Sequence, residues 1–179
     1  PRFAWAPEAP SPLRTFLFRP VNAMNTLQRI VLAATLAFAT ACGRPFDVKT
    51  PNGFFELQDQ SDEGYAYRST SAEGVVLAVR VVDDDGRGSL AFWEKAITQK
   101  IRDERGYALL ATTDVKAADG TPGRSLRFAH DESGKPFDYW LTVFVAKKRL
   151  FIVEAGGDRP AFEKEKGTIE AAIATFKLD

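Results

Sequence analysis

The chain has 179 residues, with 24 Lys+Arg against 24 Asp+Glu, one His, one Cys and one Met. Zero net charge argues against a polyanion-binding protein, which carries a basic excess or face. A single Cys excludes an internal disulfide and any Cys-built zinc cage, and 45% hydrophobic with 27% charged residues is ordinary for a globular domain.

From the start of the chain, Pro1 to Ala23 holds five prolines, three arginines and one glutamate without apolar periodicity. Met24 opens a different kind of sequence: a short polar stretch to Arg29, then Ile30–Ala41, interrupted only by Thr35 and Thr40. A membrane span needs about 20 apolar residues, so this run is too short to cross. A positive n-region, an apolar core of 7–15 residues and a small-residue exit form the pattern of a secretory signal peptide. We expect Met24 to be the initiator, residues 1–23 a spurious extension and 24–41 the signal. A genuine long n-region is the alternative.

The signal ends Leu36-Ala37-Phe38-Ala39-Thr40-Ala41-Cys42. This resembles bacterial lipoprotein precursors, whose lipobox sets small residues before an invariant Cys. The resemblance implies that Cys42 takes a diacylglycerol on its thiol and becomes the acylated first residue after cleavage. The protein would then be exported to the cell envelope and anchored at a membrane, the outer membrane or another periplasm-facing one. Ala39 stands where the family prefers Leu, and Ala39-Thr40-Ala41 is also an A-x-A site that ordinary signal peptidase cuts at the same bond. Two points favour lipidation: the chain's one Cys lies at the required position, and an unpaired thiol on an exported protein otherwise lacks a purpose. Residues 42–51 then read as lipidated Cys and tether, with Gly43–Pro51 reaching roughly 30 Å when extended. Residues 52–179 form one globular domain. Export removes four of the 24 basic and one of the 24 acidic residues, leaving a net charge of −3.

Within that domain the predicted strands are Gly53–Gln58, Tyr65–Ser69, Val75–Val82, Tyr107–Val115, Arg124–His130, Phe137–Ala146 and Leu150–Ala155, separated by Gly, Pro, Asp or Lys clusters. Lys147-Lys148 closes a tight hairpin. Ser89 caps a helix running to Arg105 with Leu90, Trp93, Ile97 and Ile101 on one stripe, and Gly106 stops it. Asp158 caps a second helix, with Pro160 in the first turn and Phe162, Ile169, Ile173 and Phe176 on its apolar face. Gly167 inside it predicts a break or a close contact.

Phe137–Ala146 and Leu150–Ala155 are apolar on both faces, Glu154 excepted, so the middle of the sheet should be covered on both sides. Arg124–His130 alternates and suits a more peripheral place. The expected fold is therefore α+β, an antiparallel sheet covered by helices on both faces. The element order, the Tyr65-Ala66-Tyr67-Arg68 strand and the Phe176-Lys177 close resemble the PsbP-like (Mog-type) α/β/α sandwich over about Phe54 to Lys177. That resemblance implies a non-enzymatic accessory, assembly or envelope role, but fold analogy alone assigns no function.

Candidate chemistry is sparse. Asp83-Asp84-Asp85-Gly86-Arg87-Gly88 invites a calcium reading, but Arg87 falls where a calcium loop needs an oxygen ligand, so a solvated strand-to-helix turn is expected. His130 and Asp131, as strand neighbours, point to opposite faces and form no dyad. Asp131-Glu132 and Asp103-Glu104 could pair as hydrolytic carboxylates only if the fold spaced them so; surface solvation is expected. Trp93, Trp140 and the Phe residues read as core. The expectation is no catalytic residue, metal or cofactor, with Cys42 the one site. Expected partners are the membrane, through the Cys42 lipid, and an envelope protein; nucleic acid is not expected, and the protein should be a monomer. The rival readings are a carrier or sensor of a small apolar ligand held between sheet and helix, and a carboxylate-based envelope hydrolase. A closed aromatic pocket would favour the carrier, and two carboxylates converging in a cleft the hydrolase.

Overall fold

Two long strands in the middle of the sheet organise everything else. The computed structural model describes residues 43–58, 64–86 and 88–179. Met24, the signal segment, Ala39, Thr40, Ala41, Cys42 and Arg87 lie outside the described residues. In chain order the elements are β1 (Phe46–Asp47), β2 (Phe54–Glu56), β3 (Tyr67–Ser71), β4 (Val76–Asp83), α1 (Leu90–Arg105), β5 (Ala108–Lys116), β6 (Pro122–Glu132), β7 (Lys135–Ala146), β8 (Arg149–Asp158), α2 (Arg159–Ala174) and β9 (Lys177–Leu178). Strands β2 to β8 form one antiparallel sheet in the order β2-β3-β4-β8-β7-β6-β5. The doubly apolar β8 and β7 sit at its middle, and the alternating β6 lies one strand in from the β5 edge. Lys147 and Lys148, both at positive φ (50° and 60°), close the β7–β8 hairpin, the backbone twist that a two-residue turn between antiparallel strands requires.

The two faces carry separate cores. Toward α2 point Trp140 and Phe144 of β7, Phe151, Val153 and Ala155 of β8, and Leu77 and Val79 of β4. Phe162, Ile169 and Ala172 of α2 close over them. Toward α1 point Leu126, Phe128 and Leu141, covered by Ile101 with Ile97 and Tyr107. Ser89 caps α1, its hydroxyl accepting from the Phe92 amide at 3.1 Å. Gly106 ends it at φ 68°, its amide donating back to the Arg102 carbonyl.

Four expectations need correction. The described part of the tether, residues 43–51, is not free. Phe46 and Asp47 pair with Leu178 and Lys177, Phe46 is buried, and its ring stacks on Phe176 at 5.4 Å. An apolar Phe at this point is a reason for the segment to bury rather than extend. Phe176 itself lies beyond the end of α2 and fills the core from the loop, stacked on Phe144 at 5.3 Å. Asp158 occupies the cap position of α2 but makes no capping hydrogen bond; Pro160, next but one, removes one of the two amides such a side chain accepts. Gly167 marks neither break nor close contact. The helix runs through it, and a Cβ there would meet nothing within 4 Å.

Candidate functional site

Two charges interrupt otherwise apolar central strands: Arg80 in Val75–Val82 and Glu154 in Leu150–Ala155. Register brings them together. Glu154 pairs with Ala78 and Ile152 with Arg80, so the two side chains are diagonal neighbours on the face that carries α1. The Arg80 Nε donates to Glu154 Oε1 at 2.8 Å. The same guanidinium lies 3.7 Å above the centre of the Tyr65 ring. Gly64, at φ 75°, lets it approach, since a Cβ there would come within 3.0 Å of an Arg80 nitrogen.

The second oxygen of Glu154 accepts from the Tyr139 hydroxyl at 2.9 Å. Tyr139 pairs across the sheet with Gly156. A Cβ on Gly156 would lie 3.1 Å from the Tyr139 ring, so the glycine leaves the notch in which the ring rests and aims its hydroxyl along β8. Burial, and then the Glu154 charge beside it, push the Tyr139 hydroxyl far above the ordinary tyrosine range. It remains a neutral donor. For Arg80, burial opposes the charge, but Glu154 and Tyr65 outweigh it and hold the guanidinium above its ordinary value.

Helix α1 packs across β5, β6 and β7. Its last two turns border this network, adding Ile97, Lys100, Ile101 and Arg105 to a cleft of about 330 Å³ floored by Leu141 and Ile152. Among the described residues lining it there is one carboxylate and no Ser, Thr, Cys or His. That set can bind and orient a ligand; it offers no second carboxylate and no Ser, Thr or Cys nucleophile. A further groove of about 360 Å³ runs between α2 and β5–β6, where Arg127 lies over Trp140 at 3.9 Å and pairs with Glu170 at 3.0 Å. It too holds a single carboxylate.

The residues singled out from sequence are scattered. Asp84 is not solvated as expected. It is buried, and its carboxylate accepts from the Gly88 amide at 3.2 Å and from Trp93 Nε1 at 2.9 Å. Both bonds tie the loop to the start of α1. Asp83 instead faces Arg149 across the β4–β8 ladder at 3.6 Å. His130 stacks on Tyr107 at 4.8 Å, with Nδ1 3.3 Å from the Gly106 carbonyl. Asp131 accepts the Gly134 amide in the following turn, and Glu104 pairs on the surface with Lys100. Trp140 is core, edge-on to Phe162 at 4.8 Å. Among the described residues no group of three or more His, Cys, Asp or Glu side chains is placed to hold a metal, and no helix is long and apolar enough to cross a membrane. Sequence pattern alone does not assemble the Arg80–Glu154–Tyr139 cluster; its signal is the one acidic residue in an apolar strand.

No family model matches the chain, and no curated protein matches it in sequence. Its backbone is similar to several solved structures. LpqN of Mycobacterium tuberculosis, described as involved in cell envelope biogenesis, superposes with a TM-score of 0.59 at 11% identity, covering 76% of this chain and 87% of that one. The cyanobacterial PsbP of Synechocystis sp. PCC 6803 gives 0.56 at 11% identity over 75% and 87%. The Ran-binding protein Mog1p of Saccharomyces cerevisiae gives 0.55 at 8% identity over 75% and 90%. At such identities the likeness establishes the fold: an antiparallel sheet with two helices, of the PsbP/Mog1-like α+β kind.

Proposed function

We propose that this is an exported envelope lipoprotein, held to a membrane through lipid on Cys42, whose domain works by binding an envelope protein partner and supporting assembly rather than by catalysis. The observation that carries the reading is the way the chain joins its domain directly after Cys42. Arg44 forms an ion pair with Glu56 and lies over the Tyr67 ring at 5.3 Å, and Phe46 is already in the core. A lipid on Cys42 would thus hold one corner of the domain, with Phe46 within about 14 Å of the anchor even if the four intervening steps are fully extended. That is far shorter than a free tether, and it favours action at the membrane surface. The envelope role given for LpqN is in keeping with it. Hydrolysis by paired carboxylates draws no support from the two clefts above, each lined by one carboxylate among the described residues.

The test is metabolic labelling with radioactive palmitate in a bacterial host, with and without an inhibitor of lipoprotein signal peptidase. The wild-type protein should take up label and accumulate as a larger precursor under inhibition. Cys42→Ser should take up none. An unlabelled protein released in soluble form would leave export standing and remove the anchor.

A further inference from the structure

We infer that the cleft beside the end of α1 binds a small organic anion, its acidic group held by Arg105 and Lys100 and its apolar body lying against Ile97, Ile101 and Tyr139. The charge balance points there first. Among the described residues, three cations, Arg80, Lys100 and Arg105, border the cleft with one carboxylate. That carboxylate is already used on both oxygens, by Arg80 and by Tyr139. Among the described residues it pairs with neither of the other two cations. Lys100 reaches only Glu104, at 3.5 Å, in a pair whose side chains are 65% and 62% exposed, an arrangement that holds a lysine weakly. Arg105 forms no ion pair among the described residues, and it lies near enough to Tyr139 to act electrostatically on its hydroxyl.

The helix pattern points the same way. Ile97, Ile101 and Arg105 recur every fourth residue, so one stripe of α1 passes from apolar to cationic over the cleft, with Lys100 at its flank. Attraction by the helix's negative end accounts for cations in its last turn. It does not account for an open cleft with an apolar floor and tyrosine rings beneath them. A volume of about 330 Å³ is at the small end of ligand sites. It suits a ring or short chain bearing one carboxylate or phosphate, not a polymer. The net charge of −3 on the exported chain likewise disfavours a polyanion. The site is independent of the anchor and of any protein partner.

The experiment is calorimetric titration of the detergent-solubilised mature protein with benzoate, phenyl phosphate, inorganic phosphate and benzyl alcohol. Both organic acids should bind with one-to-one stoichiometry and lose affinity as salt is raised. The neutral alcohol should bind about tenfold more weakly or worse, the equivalent of one charge-assisted hydrogen bond. Arg105→Gln should weaken the acids by a similar factor and leave benzyl alcohol unchanged; Lys100→Gln should do the same to a smaller degree. Both residues are exposed, so the variants should melt with wild type, and the affinity change can be read without a folding defect. Equal affinity for benzoate and benzyl alcohol would overturn the inference in favour of an apolar site. So would acid binding that survives both substitutions, inorganic phosphate binding as tightly as phenyl phosphate, or no saturable binding of either acid.

Discussion

The two faces of the sheet are built on different terms. The α2 face is closed with aromatic rings: Phe46, Phe144, Phe151, Phe162 and Phe176 are all almost fully buried. The α1 face is closed over only part of its width. One residue of α1, Ile101, is buried, while Leu90, Trp93 and Ile97 on the same stripe are half-exposed. Beyond the helix stand Arg80, Glu154 and Tyr139, whose strand neighbours on the other face include Val79, Val153, Ala155 and Trp140. A face filled with rings gives stability, and a face finished with charges leaves a cleft. The lesson is a division of labour between the two sides of one sheet, with β7 and β8 serving both.

The largest effect expected from this contrast is on the α2 side. Phe176 touches rings from β1, β7 and β8, so Phe176→Ala should lower stability by about 3–5 kcal/mol. Ile101→Ala, on the lighter face, should cost nearer 2 kcal/mol, the low end for such truncations, because its site opens toward the cleft. Urea denaturation of the two variants checks both. A larger loss for Ile101→Ala would break the comparison.

The next effect belongs to the polar cluster. Tyr139 holds its proton far above the ordinary tyrosine range, first through burial and then through Glu154. The folded state therefore stays protonated where the unfolded chain, titrating near 10, does not. The stabilisation is complete below that value and is lost as pH rises toward the folded one. Wild type should lose stability steadily above about pH 10. Tyr139→Phe should cost about 1 kcal/mol at neutral pH for the missing hydrogen bond and show a shallower alkaline decline. Parallel slopes for the two proteins would mean that Tyr139 does not set the alkaline limb.

The smallest effect has the opposite sign. Gly167 is helical, and a Cβ there meets nothing, so Gly167→Ala should stabilise by about 0.5–1 kcal/mol. A loss would mean that the groove it lines with Lys49 and Asn52 is filled in solution.

What could be read from the sequence depended on range. The caps of α1, Ser89 and Gly106, are local chemistry within a few residues, and they were legible. So were β7 and β8, whose apolar content on both faces marks the centre of a covered sheet. The β1–β9 pair was not. Each strand is two residues long, too short for any periodicity, and they come from opposite ends of the domain. Asp84 looked like one of three equivalent acids, and only the fold distinguishes the one that Trp93 and Gly88 bury. The cleft needed register as well as pattern: Arg80 and Glu154 are each visible as a lone charge, but that they share one face and one hydrogen bond is fixed by how β4 meets β8.

The central proposal is that lipid on Cys42, the residue immediately before the described domain, holds the protein at a membrane. The most direct measurement is the intact mass of the protein isolated from host membranes, with fragmentation of its N-terminal peptide. The account predicts a chain beginning at Cys42 that carries a diacylglyceryl group on sulfur, with a further acyl group on its amine. A chain beginning at an unmodified Cys42, or one retaining residues upstream of it, would contradict the account.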